Sequence, residues 1–177
     1  MSIVTNEDAK NTISEWLTEN GHQANIVKDE NSSFHFEIDY PLGSLKRQRI
    51  IQPTGFPGLC VLLNGVAIAE DHKKQLKELT EDERDAFYGE IRDELLFLDN
   101  SYDLMLDDDG VAKQVQFSYE FYFDSLTKTN LFKGLLLNHR TLLYIVNKFN
   151  NRFGIPIMPK GETLGPVETE KGPATIQ

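Results

Sequence analysis

The apolar pattern of this chain predicts an α+β domain, with helices packed on an antiparallel sheet. Two runs alternate strictly. Phe34, Phe36, Ile38 and Tyr40 oppose His35, Glu37 and Asp39, and Val115, Phe117, Tyr119, Phe121 and Phe123 oppose Gln116, Ser118, Glu120 and Tyr122. A period of two means a strand with one covered face. Three other segments carry apolar stripes at helical spacing. Short polar turns between the strand runs favour antiparallel pairing. The predicted order is helix, three strands, helix, two-strand hairpin, helix (α-β-β-β-α-β-β-α).

The first helix spans Thr5 to Asn20. Thr5 or Asn6 caps it, Glu7 and Asp8 sit at its positive end, and Gly21 ends it. Ala9, Ile13, Trp16 and Leu17 form its stripe, which makes Trp16 a core anchor. Gln23 to Lys28 reads as a short strand before the turn Asp29-Glu30-Asn31-Ser32, and the alternating run then ends at Pro41-Leu42-Gly43-Ser44. A third strand covers Arg47 to Gln52, stopped by Pro53 and the turn Thr54 to Gly58. Leu59 to Ala69 is strand-like but holds Asn64-Gly65, which marks a hairpin or a bulge. The short arm Val66-Ala67-Ile68 favours the bulge.

Glu70 to Glu78 reads as a short helical entry. Thr80-Glu81-Asp82-Glu83 is a capping box, and Phe87, Tyr88, Ile91, Leu95 and Leu98 follow on one face. Ser101 to Asp107 and Lys113 to Asp124 form a hairpin about Asp108-Asp109-Gly110. The last helix runs from Thr127 to Arg152 and stops at Gly154. Its apolar arc holds Leu131, Phe132, Leu135, Leu136, Leu142, Leu143, Val146 and Phe149. Leu137 and Tyr144, seven apart, form a thin second stripe outside that arc. Residues 1–154 are thus expected to be one domain. Residues 155–177, with four prolines and no period, are expected to be a mobile or surface-draped tail.

A chain of 177 residues can bury a core without metal or disulfide. The formal net charge of -10 disfavours nucleic acid and anionic membranes as partners. Cys60, the only cysteine, lies in an apolar run and reads as a buried, inert thiol. The N-terminal residues lack the charge and apolar pattern of a signal peptide, and no apolar run approaches the roughly 20 residues of a membrane span. A cytoplasmic location is the expectation.

No spacing amounts to a catalytic or metal signature, so neither catalytic residues, cofactor nor metal is expected. His22, His35, His72 and His139 show no metal-clip spacing. Asp107-Asp108-Asp109-Gly110 fails the calcium-loop template, because Gln116 stands where the bidentate Glu belongs. Lys46, Arg47 and Arg49 make a compact basic cluster. Arg47 and Arg49 share one side of their strand, either as charges guarding an edge strand or as a docking patch for an acidic peptide.

The order of elements on a small acidic chain resembles the fold of type III secretion chaperones and related chaperone-like domains. Asp71-His72 through Leu79-Thr80, then Glu83-Arg84-Asp85-Ala86-Phe87, and Tyr122 to Thr127 before the long helix are similar to an archaeal family without assigned function. The resemblance spans about residues 5 to 154. It implies a homodimer of α+β subunits that binds protein segments, and it brings no catalytic residues. The expected function is therefore a non-enzymatic, chaperone-like or adaptor domain binding an unknown protein or peptide, with Leu137 and Tyr144 as candidate interface and Arg47 and Arg49 as candidate peptide contacts. The alternative is a small-ligand sensor or enzyme with a pocket between sheet and helices, behind the aromatic face Phe117 to Phe123.

Overall fold

A computed structural model describes residues 5–42 and 47–155. The expected tail lies outside these residues except for Ile155. Four helices and six strands form the α+β fold, in the order α1 (Asn6–Glu19), β1 (Asn25–Ile26), β2 (Ser32–Asp39), β3 (Arg47–Pro53), β4 (Leu59–Ala67), α2 (Glu70–Glu78), α3 (Glu81–Leu95), β5 (Ser101–Leu106), β6 (Ala112–Tyr122) and α4 (Lys128–Phe153). Ten elements stand where the short order has eight: the short strand read at Gln23 to Lys28 is the two-residue β1, paired on β2, and the helical entry Glu70 to Glu78 is a helix separate from the one that the Thr80 capping box starts.

Every pairing in the sheet is antiparallel, in the order β1-β2-β3-β4-β6-β5. The register alternates each strand between two faces. One face holds Phe34, Phe36 and Ile38 of β2, Ile50 of β3, Cys60 and Leu62 of β4, and Val115, Phe117 and Phe121 of β6, all buried. The helices pack on this face. Ala9, Ile13 and Leu17 of α1 and Leu131 and Leu135 of α4 close one core cluster. Phe87, Tyr88, Ile91 and Leu95 of α3, with Leu142, Ile145 and Phe149 of α4, close a second. Trp16 packs against the first cluster, as its stripe predicts.

Asn64-Gly65 forms neither a bulge nor a hairpin. β4 pairs with β6 residue for residue from Leu59↔Tyr122 to Ala67↔Gln114, with no register shift. The eleven-residue β6 supplies a partner along the whole of β4, so the strand continues through the glycine. A Cβ at Gly65 would sit 3.2 Å from the Val115 carbonyl oxygen, which gives the glycine a packing reason instead of a turn reason.

β3 is an interior strand, between β2 and β4, so its arginines do not guard an edge. The sheet edges are β1 and β5.

Local carboxylates tie the connections. Asp107 accepts from the amides of Val111 at 2.8 Å and Asp109 at 3.0 Å, closing the β5–β6 turn. Glu83 accepts from the Thr80 amide at 2.9 Å, and Asp29 from the Asn31 amide at 3.0 Å. These amide hydrogen bonds favour the ionised form and hold all three carboxyls below their ordinary range. A depressed folded pKa contributes stability above the unfolded value and loses it as pH falls through the folded one. The urea unfolding midpoint is therefore expected to hold from pH 7 to about 5 and to fall below about 4. Asp107→Asn should flatten that acid limb, and an unchanged limb would contradict the assignment.

Candidate functional site

α4 is the longest element, 26 residues, and it lies across β4 and β6. Its buried face is Leu131, Gly134, Leu135, Asn138, Thr141, Leu142, Ile145 and Phe149. This face is displaced from the arc expected from hydropathy. Leu136 and Leu143, expected in the core, are 38% and 41% exposed. Polar and small residues take the inner positions for specific reasons. Asn138 Nδ2 donates to the Leu62 carbonyl at 3.0 Å, and Asn100 Nδ2 donates to Thr141 Oγ1 at 2.9 Å. Gly134 lies where a Cβ would meet Tyr119 Cδ1 at 2.5 Å and Leu62 Cδ1 at 2.6 Å.

The outermost line of α4 is then Lys133, Leu136, Arg140, Leu143 and Asn147, all exposed. The spacing of three and four is that of one helix face. Leu137 and Tyr144 lie beside it and are half-buried. Tyr144 packs against the second core cluster, so it belongs partly to the core that hydropathy placed it outside. Burial raises its phenol above the ordinary range, helped by the charge of Glu94. Lys148 reaches Glu94 at 3.0 Å and Glu90 at 3.5 Å, joining α3 to α4 on this side.

The α3–β5 connection adds the most exposed apolar side chains of this region. Leu96 is 71% and Phe97 86% exposed. The connection is held to α4 by Asp99 with Lys133 at 3.6 Å and by the Asn100–Thr141 hydrogen bond. Leu96 and Phe97 lie in the chain between Glu94, which pairs with Lys148, and Asp99, which pairs with Lys133. The run Leu95-Leu96-Phe97-Leu98 carried the signal, since four consecutive apolar residues cannot all face inward from a helix.

The face of the sheet away from the described helices holds Arg47 and Arg49. Arg47 pairs with Glu37 at 3.4 Å and Asp39 at 4.0 Å. Arg49 sits opposite Glu37 in the register and is half-buried; burial lowers its guanidinium pKa and the Glu37 charge opposes that. Both arginines are on one face, as alternation requires, and the facing acids offset them locally. Lys46 lies outside the described residues.

Of the other chemically capable groups, only His22 and His139 share a neighbour among those described below, both standing against Tyr40. Among the described residues no group of three or more His, Cys, Asp or Glu side chains is placed to hold a metal ion. His22 contacts the Asp39 carbonyl, His35 the Asp29 carboxylate, and His72 the Gly154 carbonyl at 2.8 Å, each in a separate part of the fold. His139 stands edge-on to Tyr40 with ring centroids 6.4 Å apart. Cys60 is fully buried, and burial pushes its thiol up to about 12, far from a reactive thiolate. The aromatic inner face of β6 is taken up by packing, with Phe117 1% and Phe121 5% exposed. An open cavity of about 330 Å³ lies at the end of α1, lined by Ser14, Thr18, Gly21, His22, Gln23 and Ala24, with no carboxylate pair. Among the described residues no helix is long and apolar enough to cross a membrane.

A model of an uncharacterized conserved protein family (DUF2299) matches residues 9–149. The fold is similar to that of an uncharacterized protein from Methanothermobacter thermautotrophicus, with a TM-score of 0.77 and 25% identity over 82% of this chain and 99% of that one. YbjN, a candidate transcription regulator from E. coli, is more distant, with a TM-score of 0.49 and 10% identity over 81% of this chain and 92% of that one. No curated protein matches the sequence.

Proposed function

Starting from a chain that belongs to the family of uncharacterized conserved proteins DUF2299, we propose that it is a non-enzymatic protein-binding module, chaperone-like or adaptor in role, that works as a homodimer. The observation that supports this is the exposed apolar surface formed by Leu96 and Phe97 beside the outer line of α4. A phenylalanine 86% open to water contributes nothing to this chain's core. Contiguous exposed apolar groups on a soluble fold mark interaction surfaces. The ion pairs that bound the region, Lys133–Asp99 and Lys148–Glu94, give it the polar rim typical of such surfaces.

Phe97 is the anchor for the bound segment. A randomised peptide display library passed over the immobilised protein is expected to enrich sequences rich in apolar residues. Phe97→Asp is expected to weaken the selected peptides by about 2 kcal/mol, roughly thirtyfold, as loss of a central aromatic contact does. Absence of enrichment, or equal binding by the variant, would remove the reading. Phe97 touches no core cluster, so the variant retains its fold, which circular dichroism verifies.

The pocket-based alternative has no observation in its favour, since its proposed lining, Phe117 and Phe121, is packed in the core.

A further inference from the structure

β5 leaves one edge of the sheet open, and we infer that an extended, basic segment of a partner protein adds there as a further strand. The inference rests on the protein-binding reading above and names the surface and the chemistry of the segment. β5 is the last strand in the sheet order and pairs only with β6. The direction of its main-chain groups follows from the ladder. The Ile68 amide donates to the Lys113 carbonyl at 2.9 Å, one step beyond the facing pair Ala67↔Gln114. That pattern makes Ala67↔Gln114 a non-hydrogen-bonded pair, so Gln114 turns its own N–H and C=O away from β4, toward Met105 of β5. By alternation Ser101, Asp103 and Met105 bond to β6, and Tyr102 and Leu104 turn their N–H and C=O to the edge. Among the described residues no group hydrogen-bonds these outward amides and carbonyls.

The usual guards of a sheet edge are missing from β5. The opposite edge is blunted by β1, which is two residues long. β5 runs for six residues with no proline and no lysine. The irregularity in its ladder is the extra residue Lys113 of β6, beyond the unbroken register from Ser101 to Met105. An edge left so offers its main-chain groups to an incoming strand. Exposed apolar side chains bracket it in the chain, with Phe97 four residues before Ser101 and Leu106 at its end. Charge selects the occupant. Residues 99–109 hold five aspartates and no Lys, Arg or His. Asp99 and Asp109 pair with Lys133 and Lys77, and Asp107 accepts from local amides. Asp103 and Asp108 are exposed and make no ion pair among the described residues. A second β5 would bring the same acids to this edge. A basic segment instead meets these carboxylates and is drawn in by the net charge of -10. Side chains of an added strand alternate between faces, so its apolar residues fall on the Tyr102 and Leu104 side and its Lys or Arg on the Asp103 side.

Amide hydrogen exchange, followed residue by residue by NMR, tests this. In the free protein the amides of Asp103 and Met105 are expected to be protected and those of Tyr102 and Leu104 to exchange fast. An acetylated, amidated heptapeptide of alternating lysine and valine should slow Tyr102 and Leu104 by about tenfold or more. The same peptide with glutamate in place of lysine should leave them fast. Asp103→Lys, at an exposed site outside both core clusters, should keep the fold and weaken the lysine peptide about fivefold, as loss of a cross-strand charge pair does. Protection of Tyr102 and Leu104 in the free protein overturns the open edge, and protection that grows with protein concentration assigns the edge to a second copy instead. No slowing by the lysine peptide overturns the inference. Equal slowing by both peptides overturns the choice of a basic partner. Enrichment of peptides through Phe97 without protection on β5 would remove the edge and leave the protein-binding reading standing.

Discussion

Gly134→Leu is expected to destabilise the domain by about 3 kcal/mol or more, and even Gly134→Ala by about 1–3 kcal/mol. The sign is the opposite of what helix propensity gives. Alanine normally gains about 1 kcal/mol over glycine in a helix interior. Here its Cβ would lie 2.5 Å from Tyr119 Cδ1 and 2.6 Å from Leu62 Cδ1, so at least one of two packed side chains must move. Leu62 is fully buried, and Tyr119 packs against the same cluster. Leu62 has no free space to retreat into in a close-packed interior, and half-buried Tyr119 can move only by leaving the cluster it covers. Gly89 in α3 supplies the control. Nothing lies within 4 Å of a Cβ built there, so Gly89→Ala should stabilise by roughly 0.5–1 kcal/mol. Urea midpoints moving in opposite directions for the two alanine variants would establish that α4 lies on the sheet at glycine distance. A stabilised Gly134→Ala would refute that packing.

The second large effect is expected at Asn138, which is fully buried on the inner face of α4. Its amide donates to the Leu62 carbonyl at 3.0 Å, and its oxygen accepts from Asn100 Nδ2 at 3.4 Å. Leucine has the same branched heavy-atom skeleton and greater hydropathy, so a burial argument alone would call Asn138→Leu stabilising. The substitution leaves the Leu62 carbonyl without this donor and Asn100 with only Thr141 as partner. A buried polar group left unsatisfied costs about 1–3 kcal/mol, and two weakened groups bring the expected loss to about 2–4 kcal/mol. Thermal unfolding of the variant measures it. An unchanged or raised Tm would mean that the polar cluster is not a working part of the helix–sheet contact.

These two residues also mark where hydropathy misplaced the face of α4. Its arc counted Leu136 and Leu143 inward because leucine is apolar, and it named none of Gly134, Asn138 and Thr141, which the fold buries. The buried face is chosen by fit to β4 and β6: a glycine where the helix comes closest, and an amide where a strand carbonyl needs a donor. Neither requirement can be read from one helix alone. The same holds for Arg47 and Arg49. Their shared side follows from alternation, but their interior position depends on which strands neighbour β3.

The period of the apolar residues, the capping residues and the turn residues by themselves determined the α+β class, the helices, the hairpin and the buried, unreactive Cys60. Those are local preferences, set by the backbone geometry of a few consecutive residues. Only the tertiary structure decided the strand order, the straight path of β4 through Asn64-Gly65, and the outward turn of Leu136 and Leu143. These depend on contacts between segments far apart in the chain, where packing volume and hydrogen-bond partners outweigh the hydropathy of any single residue.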